Sequence, residues 1–186
     1  SRSLGEKKQD MADRAAGTGI FLSLCSAVVF ALIGIFLSRP FFMAQAKTVP
    51  EIVEMGTAYT RICLGLSVGL FCQFCFERLL QSTGRTMLSM VTQLIGAIIN
   101  IILDPVFIFL FDLGVAGAAI ATVTGQICAC VFALVLNLKK NPEIHLVFRG
   151  FQPDWRIIGS IYAIGLPSVV MMAIGSVMTF LMNKIL

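Results

Sequence analysis

Long apolar runs alternate with short polar stretches along this chain. The first, residues 17–38 (GTGIFLSLCSAVVFALIGIFLS), holds 22 residues without a charge. At about 1.5 Å per residue that is enough to cross a hydrocarbon core of roughly 30 Å. Further runs follow at residues 59–80, 87–111, 114–138 and 157–186. The punctuation between them is polar: a charged opening (SRSLGEKKQDMADR), a loop with Pro40 and Pro50, a turn at Ser82-Thr83-Gly84, a break at Asp112-Leu113, and a polar stretch over 139–156. In lipid each run must be helical, because an open strand leaves backbone groups unpaired. The pattern predicts an all-α membrane protein, a polytopic transmembrane helical bundle with five spans.

Composition agrees and removes alternatives. Of 186 residues, 58% are hydrophobic and 13% charged, and the mean hydropathy is +0.91. Too few polar groups remain to cover a water-facing surface, which argues against a soluble domain and against disorder. The net charge of +4 comes from 14 Lys and Arg dispersed among apolar blocks, so no nucleic-acid partner is expected. The main partner is the lipid bilayer.

The six cysteines (Cys25, Cys63, Cys72, Cys75, Cys128, Cys130) all fall inside apolar runs, where they read as small buried hydrophobes. Cys72-Gln73-Phe74-Cys75 has redox or metal spacing, but no second Cys-x-x-Cys follows and the lone His145 sits in a loop. No structural metal and no cofactor are expected.

Lys and Arg set the orientation. Loops 1–16, 77–86 and 139–156 hold ten of them, whereas the alternate loops hold Arg39 and Lys47. The positive-inside rule places the first loop in the cytoplasm, in a multi-pass protein expected at the plasma membrane. A charged 16-residue stretch ahead of the first run is no signal peptide. The odd span count, the abrupt start and the end inside an apolar run suggest a fragment.

Nine acidic residues lie in loops or near span ends, Glu77 among them, which reads with Arg78 as an interfacial anchor. Asp104 lies well inside the third span. There a charge costs at least about 2.5–3.5 kcal/mol unless paired or hydrated, so an ion or proton role is the leading reading and a helix-locking hydrogen bond the plainer one. Asn100, four residues earlier, shares its helical face. Pro105 deprives the Ile101 carbonyl of its helical partner. Burial favours the neutral form of a carboxylate, so Asp104 is expected to exchange a proton if no cation occupies the site.

The fourth span opens GVAGAAIATVTGQ, whose small residues permit close helix approach. Thr122, Thr124 and Gln126 are candidates there for packing or for lining a pathway. Gly65-Leu66-Ser67-Val68-Gly69 is a GxxxG pattern that predicts close packing, and Arg61 reads as snorkelling to headgroups. In the last span Gly165-Leu166-Pro167 is expected to interrupt the helix, the signature of moving or substrate-facing segments in transporters. Met171, Met172, Met178 and Met182 fill gaps or line a permissive surface, Pro167 and Met171 being the candidates for the pathway.

The run ERLLQSTGRTMLSMVTQLIGAIINIILDPVFIFLFDLGVAGAAIATVTGQ at 77–126, the opening SRSLGEKKQDMADRAA and the later FQPDWRIIGSIYAIGLPS resemble the multidrug and toxic compound extrusion (MATE) transporters. Most specific are Asn-x-x-x-Asp-Pro at 100–105 and Gly-Ala-Ala-Ile-Ala-Thr at 117–122. The resemblance implies a two-lobed 6+6 helix transporter. Residues 1–16 would be a cytoplasmic loop, 17–138 four helices of the amino-terminal lobe, 139–156 a cytoplasmic inter-lobe linker, and 157–186 the first helix of the carboxy-terminal lobe. It implies secondary active export of small organic, often cationic, compounds by sodium or proton antiport through alternating access, in a full-length monomer. It also implies a coupling site at Asp104, Asn100 and Thr122, with Na+ a candidate ligand of Asp104 and a further acid on a helix this sequence lacks.

Other classes compete. A flippase for lipid-linked saccharides, from the same wider superfamily, calls for several cations in its cavity, and only Arg61 and Lys184 lie within the spans, both near ends. An enzyme is disfavoured because no serine–histidine, paired-acid or metal constellation occurs. A channel would need a selectivity loop that these spans do not contain.

Overall fold

The computed structural model describes residues 9–45, 50–144 and 154–185, and every regular element among them is helical. The charged groups Arg2, Lys7, Lys8, Lys47 and Arg149, the histidine His145 and the side chain of Lys184 lie outside the described residues. The elements are α1 (Gln9–Gln45), α2 (Pro50–Gly65), α3 (Val68–Ser82), α4 (Thr86–Pro105) with a π-helical turn (Val106–Leu110), α5 (Gly114–Lys140) and α6 (Trp155–Ile185). The chain divides into two compact units, residues 1–148 and 149–186.

Four helices are long and apolar enough to cross a membrane: Asp10–Ala44, Thr86–Leu110, Gly114–Lys140 and Trp155–Thr179. The second expected span differs from the continuous helix over 59–80. It starts at Pro50 and is a bent pair, α2 and α3, meeting at 47°. The break falls inside the GxxxG pattern, at Leu66-Ser67, and the Ser67 hydroxyl donates to the Ala27 carbonyl of α1 at 3.3 Å. The two glycines therefore do not form one packing stripe. A Cβ on Gly69 would meet Ile127 Cγ1 at 2.8 Å, whereas one on Gly65 would meet nothing within 4 Å.

Turn chemistry explains how α3 reverses into α4. Gly84 has φ +77°, a conformation costly for a residue with a Cβ. It lets the Gly84 N–H reach the Gln81 carbonyl at 3.1 Å and the Arg85 N–H reach that of Leu80 at 2.8 Å, the paired bonds of a Schellman cap. At the far end Pro105 cannot donate, and the helix relaxes into the π turn, with the Phe111 N–H bonded to the Val106 carbonyl at 3.1 Å. Asp112 (φ 52°) and Gly114 (φ 52°) then turn the chain into α5.

Within the first unit α5 is central, packing against α2, α3 and α4, while α1 packs against α2 and α3. Its buried face is made of small residues: Gly117, Ala119, Ala121, Val123, Gly125, Ala129 and Ala133. The largest fully buried side chains are Leu80, Glu77, Asn137, Thr18, Thr92, Ser67 and Ser89, six of the seven polar, whereas Phe36, Ile101, Phe109 and Leu110 are exposed. This inversion of the soluble pattern is what a lipid solvent imposes: apolar side chains meet acyl tails, and small and polar ones hold the helices together. Asn137 donates to the Phe76 carbonyl of α3 at 3.0 Å and to that of Ala133 at 2.9 Å.

Two expectations need correction. The cysteines are not buried hydrophobes: Cys25 is exposed and the other five are half-buried, all six unpaired, because the contact faces are occupied by smaller Gly, Ala and Ser. In the second unit Pro167 does not interrupt its helix. α6 runs unbroken from Trp155 to Ile185 with Pro167 inside it.

Candidate functional site

Asp104, Asn100 and Thr122 come together where the last turns of α4 face α5 in the first unit. Asn100 and Asp104 are one turn apart on α4, and Thr122 reaches them from α5. The Asn100 amide donates to Asp104 Oδ1 at 3.4 Å and to Thr122 Oγ1 at 3.3 Å. Turned over, it donates to Asp104 Oδ2 at 3.3 Å and accepts from the Thr122 backbone N–H at 3.2 Å. In either orientation Asn100 bridges the carboxylate and the neighbouring helix.

Glycines make this approach close enough. A Cβ on Gly125 would sit 2.8 Å from the Gly96 carbonyl oxygen and 3.4 Å from Asn100 Cβ, and one on Gly96 would sit 3.0 Å from Ala129 Cβ. Backbones without side chains let α4 and α5 nearly touch one turn from Asn100. The short Asp112-Leu113 connection makes the two helices antiparallel neighbours, which brings Thr122 to the depth of Asn100.

Asn100, Thr122 and Gln126 also line an open groove of about 350 Å³ that extends to Gln73 and Gln93. Thr124 differs: its hydroxyl donates to the Ile120 carbonyl of its own helix at 2.7 Å, and it is not among the groove's lining residues. Pro167 and Met171 belong to the second unit, where both are exposed. Tyr59 of α2 was not anticipated; its hydroxyl has Cys63 and Thr122 as side-chain neighbours and lies within electrostatic range of Asp104. A phenol one turn from a cysteine, on a helix that also carries Glu51, Glu54 and Arg61, carries no sequence signal for such a role.

Glu77 is the larger departure. It is no interfacial anchor but 1% exposed, and it accepts hydrogen bonds from Gln73, Thr92 and Gln93. Counting from the end of the apolar run placed it at the surface. The run's end is itself buried, because α5 continues past it with Asn137 packed on Phe76.

Chemically, the α4–α5 cluster offers a carboxylate, an amide and a hydroxyl, all hard donors. Such a set suits a proton or a small monovalent cation rather than a soft transition metal. No group of three or more His, Cys, Asp or Glu suited to a metal ion occurs among the described residues.

The MatE family profile matches residues 1–106, more than half of the chain. This chain belongs to the MatE family. Among MatE relatives, the multidrug export protein MepA of Staphylococcus saprophyticus subsp. saprophyticus is 27% identical over 187 residues, covering 100% of this chain and 41% of MepA. MepA of Staphylococcus aureus (strain bovine RF122) is 26% identical over 174 residues, covering 92% and 38%. A solved outward-facing multidrug resistance MATE family transporter of the MOP superfamily superposes with TM-score 0.90 at 26% identity, over 98% of this chain and 41% of that one. The inward-facing conformation of such a transporter gives 0.81 at 27% identity, over 90% and 38%. This MatE chain spans about two fifths of the length of the relatives it matches. With its spanning helices, it is a multi-pass membrane protein.

Proposed function

We propose that this chain forms part of a secondary active transporter that exports organic, often cationic, compounds through alternating access, driven by sodium or proton antiport. In this reading it supplies most of the amino-terminal lobe of a two-lobed transporter in the plasma membrane, with its first loop cytoplasmic. The export proteins it resembles support the transport class. The observation that carries the coupling is the Asn100 bridge between Asp104 and Thr122, at 3.4 and 3.3 Å. A proton or cation arriving at Asp104 changes what Asn100 must donate to, and through it the hold of α4 on α5. That is a local charge event acting on a helix contact, the form alternating access needs.

The test is efflux of a fluorescent organic cation from vesicles holding the full-length transporter, wild type against Asp104→Asn, under separate sodium and proton gradients. Gradient-driven efflux lost in the variant, at matched expression and folding, is the expected result, and the effective gradient names the ion. Efflux unchanged by the substitution would make Asp104 a helix-locking residue.

A second reading, a flippase for lipid-linked saccharides, draws on one observation: Arg39 and Arg61 share an opening of about 610 Å³ with Glu54. Two cations offset by one acid suit an anionic headgroup weakly. This reading takes over if neither gradient drives efflux from wild type.

A further inference from the structure

We propose that Glu77 is a second proton-exchanging carboxylate of this lobe, communicating with the groove that also holds Asn100 and Thr122. Its position is built rather than incidental. Glu77 is 1% exposed. Its Oε1 accepts from Gln73 Nε2 at 2.9 Å and Thr92 Oγ1 at 3.1 Å, and its Oε2 accepts from Gln93 Nε2 at 2.8 Å. All three donors are neutral, two of them on the facing helix α4. Among the described residues its hydrogen-bond donors are all neutral, so this buried carboxylate can gain or lose a proton without breaking an ion pair with any of them.

The network also provides for the protonated form. Gln73 Oε1 is buried and accepts no hydrogen bond, an omission that costs about 1–3 kcal/mol. If Glu77 takes up a proton, its new O–H needs an acceptor, and turning over the Gln73 amide presents that oxygen to it. In the ionised state Gln73 donates, and in the neutral state it accepts. One amide rotation thus serves both states, with Thr92 and Gln93 still in place.

The same residues supply the route. Gln73 and Gln93 line the open groove of about 350 Å³ along with Asn100 and Thr122, which is large enough to hold water. On release, the acid O–H of Glu77 breaks, the proton passes to groove water, and the carboxylate takes back the Gln73 N–H. Other charges lie at this end of the lobe by topology. Arg78 is on the same helix, with its guanidinium on Gln81 Oε1 at 2.7 Å. Asp10, Asp13 and Arg14 begin α1, Arg85 precedes α4, and Lys139 and Lys140 close α5. The free thiols of the surrounding helices are Cys25 on α1, Cys63 on α2, Cys72 and Cys75 on α3, and Cys128 and Cys130 on α5.

The part this carboxylate plays in transport rests on the coupling reading above, but its protonation does not, and the experiment separates the two. The full-length transporter, reconstituted in liposomes, is stepped across about pH 5 to 9 while infrared difference spectra record protonated carboxyl groups. The expected result is a titrating carboxyl band that is lost in Glu77→Gln, shifted in Glu77→Asp and retained in Asp104→Asn. In the same liposomes Glu77→Gln flattens the pH profile of efflux and Glu77→Asp restores its slope. Difference spectra identical in wild type and both Glu77 variants would overturn the proposal and leave Glu77 a clasp between α3 and α4. A band retained in Asp104→Asn whose efflux is unimpaired would sink the coupling reading and leave this one standing.

Discussion

Replacing Gly125 with alanine tests whether the candidate site depends on helix contact rather than on its polar side chains alone. The added Cβ would lie 2.8 Å from the Gly96 carbonyl oxygen, which is backbone and cannot swing aside. Ordinary contact begins near about 3.4 Å, so α4 and α5 must part by about 0.6 Å. Asn100 and Thr122, one turn away, now meet at 3.3 Å. The same separation takes them to about 3.9 Å, beyond hydrogen-bond length. Overpacking of this kind costs about 1–3 kcal/mol, and losing one interhelical hydrogen bond in a membrane about 0.6–1.7 kcal/mol. Loss of 1–2 kcal/mol of coupling corresponds to a reduction of about five- to thirtyfold in gradient-driven efflux. Thr122→Ala removes the hydroxyl that meets the Asn100 amide at 3.3 Å without any backbone clash, so it should reduce efflux and lower the unfolding temperature by less than Gly125→Ala does. In the double variant the efflux losses should not add. The reasoning fails if Gly125→Ala matches wild type both in efflux and in thermal unfolding in detergent.

Other substitutions probe the packing directly. Gly65→Ala should be neutral or stabilise its helix by up to about 1 kcal/mol, since nothing lies within 4 Å of the new Cβ. Gly69→Ala, which meets Ile127 at 2.8 Å, should lower the unfolding temperature; equal behaviour of the two would contradict the broken second span. Asn137→Ala removes donors to the Phe76 and Ala133 carbonyls and should cost about 1–3 kcal/mol, read as a lower midpoint in denaturant.

Hydropathy makes spans legible because lipid acts on the average of some twenty residues at a time. The third, fourth and fifth expected spans accordingly lie within two residues of the helix starts at Thr86, Gly114 and Trp155. Breaks are a different matter. Leu66-Ser67 is no more polar than its surroundings, and what bends the chain there is a tertiary bond from Ser67 to the Ala27 carbonyl, forty residues away. Pro167 errs in the opposite direction: a proline removes one backbone donor, and a membrane helix can absorb that loss and continue. The Asn100–Asp104 pair was legible because an i, i+4 pair shares a face. Thr122 entered through the family resemblance, and the short Asp112-Leu113 connection, which makes α4 and α5 antiparallel neighbours, accounts for its reaching Asn100.

Glu77 shows where counting of this kind stops working. Distance from the end of an apolar run measures depth only if no neighbouring helix extends beyond that end. Here α5 reaches Lys140 and Asn141 closes over Asn137 at 3.2 Å, so the end of α3 at Ser82 is enclosed by protein although its apolar run has ended. Nothing in the hydropathy of residues 73–93 distinguishes this from an exposed end. What does distinguish it is the composition of the facing helix: Ser89, with Thr92 and Gln93 one turn on, lies on one side of α4. These three hydroxyl or amide side chains within the first eight residues of α4, among Met, Leu and Val, are more than a lipid-facing surface needs. The facing α3 accounts for the excess, since each hydroxyl or amide in a membrane helix must bond to something: Glu77 accepts from Thr92 and Gln93, and Gln81 donates to Ser89. Polar residues of this kind therefore need to be read in pairs of helices rather than by depth within one, and the same reading draws Tyr59 of α2 toward Thr122 of α5.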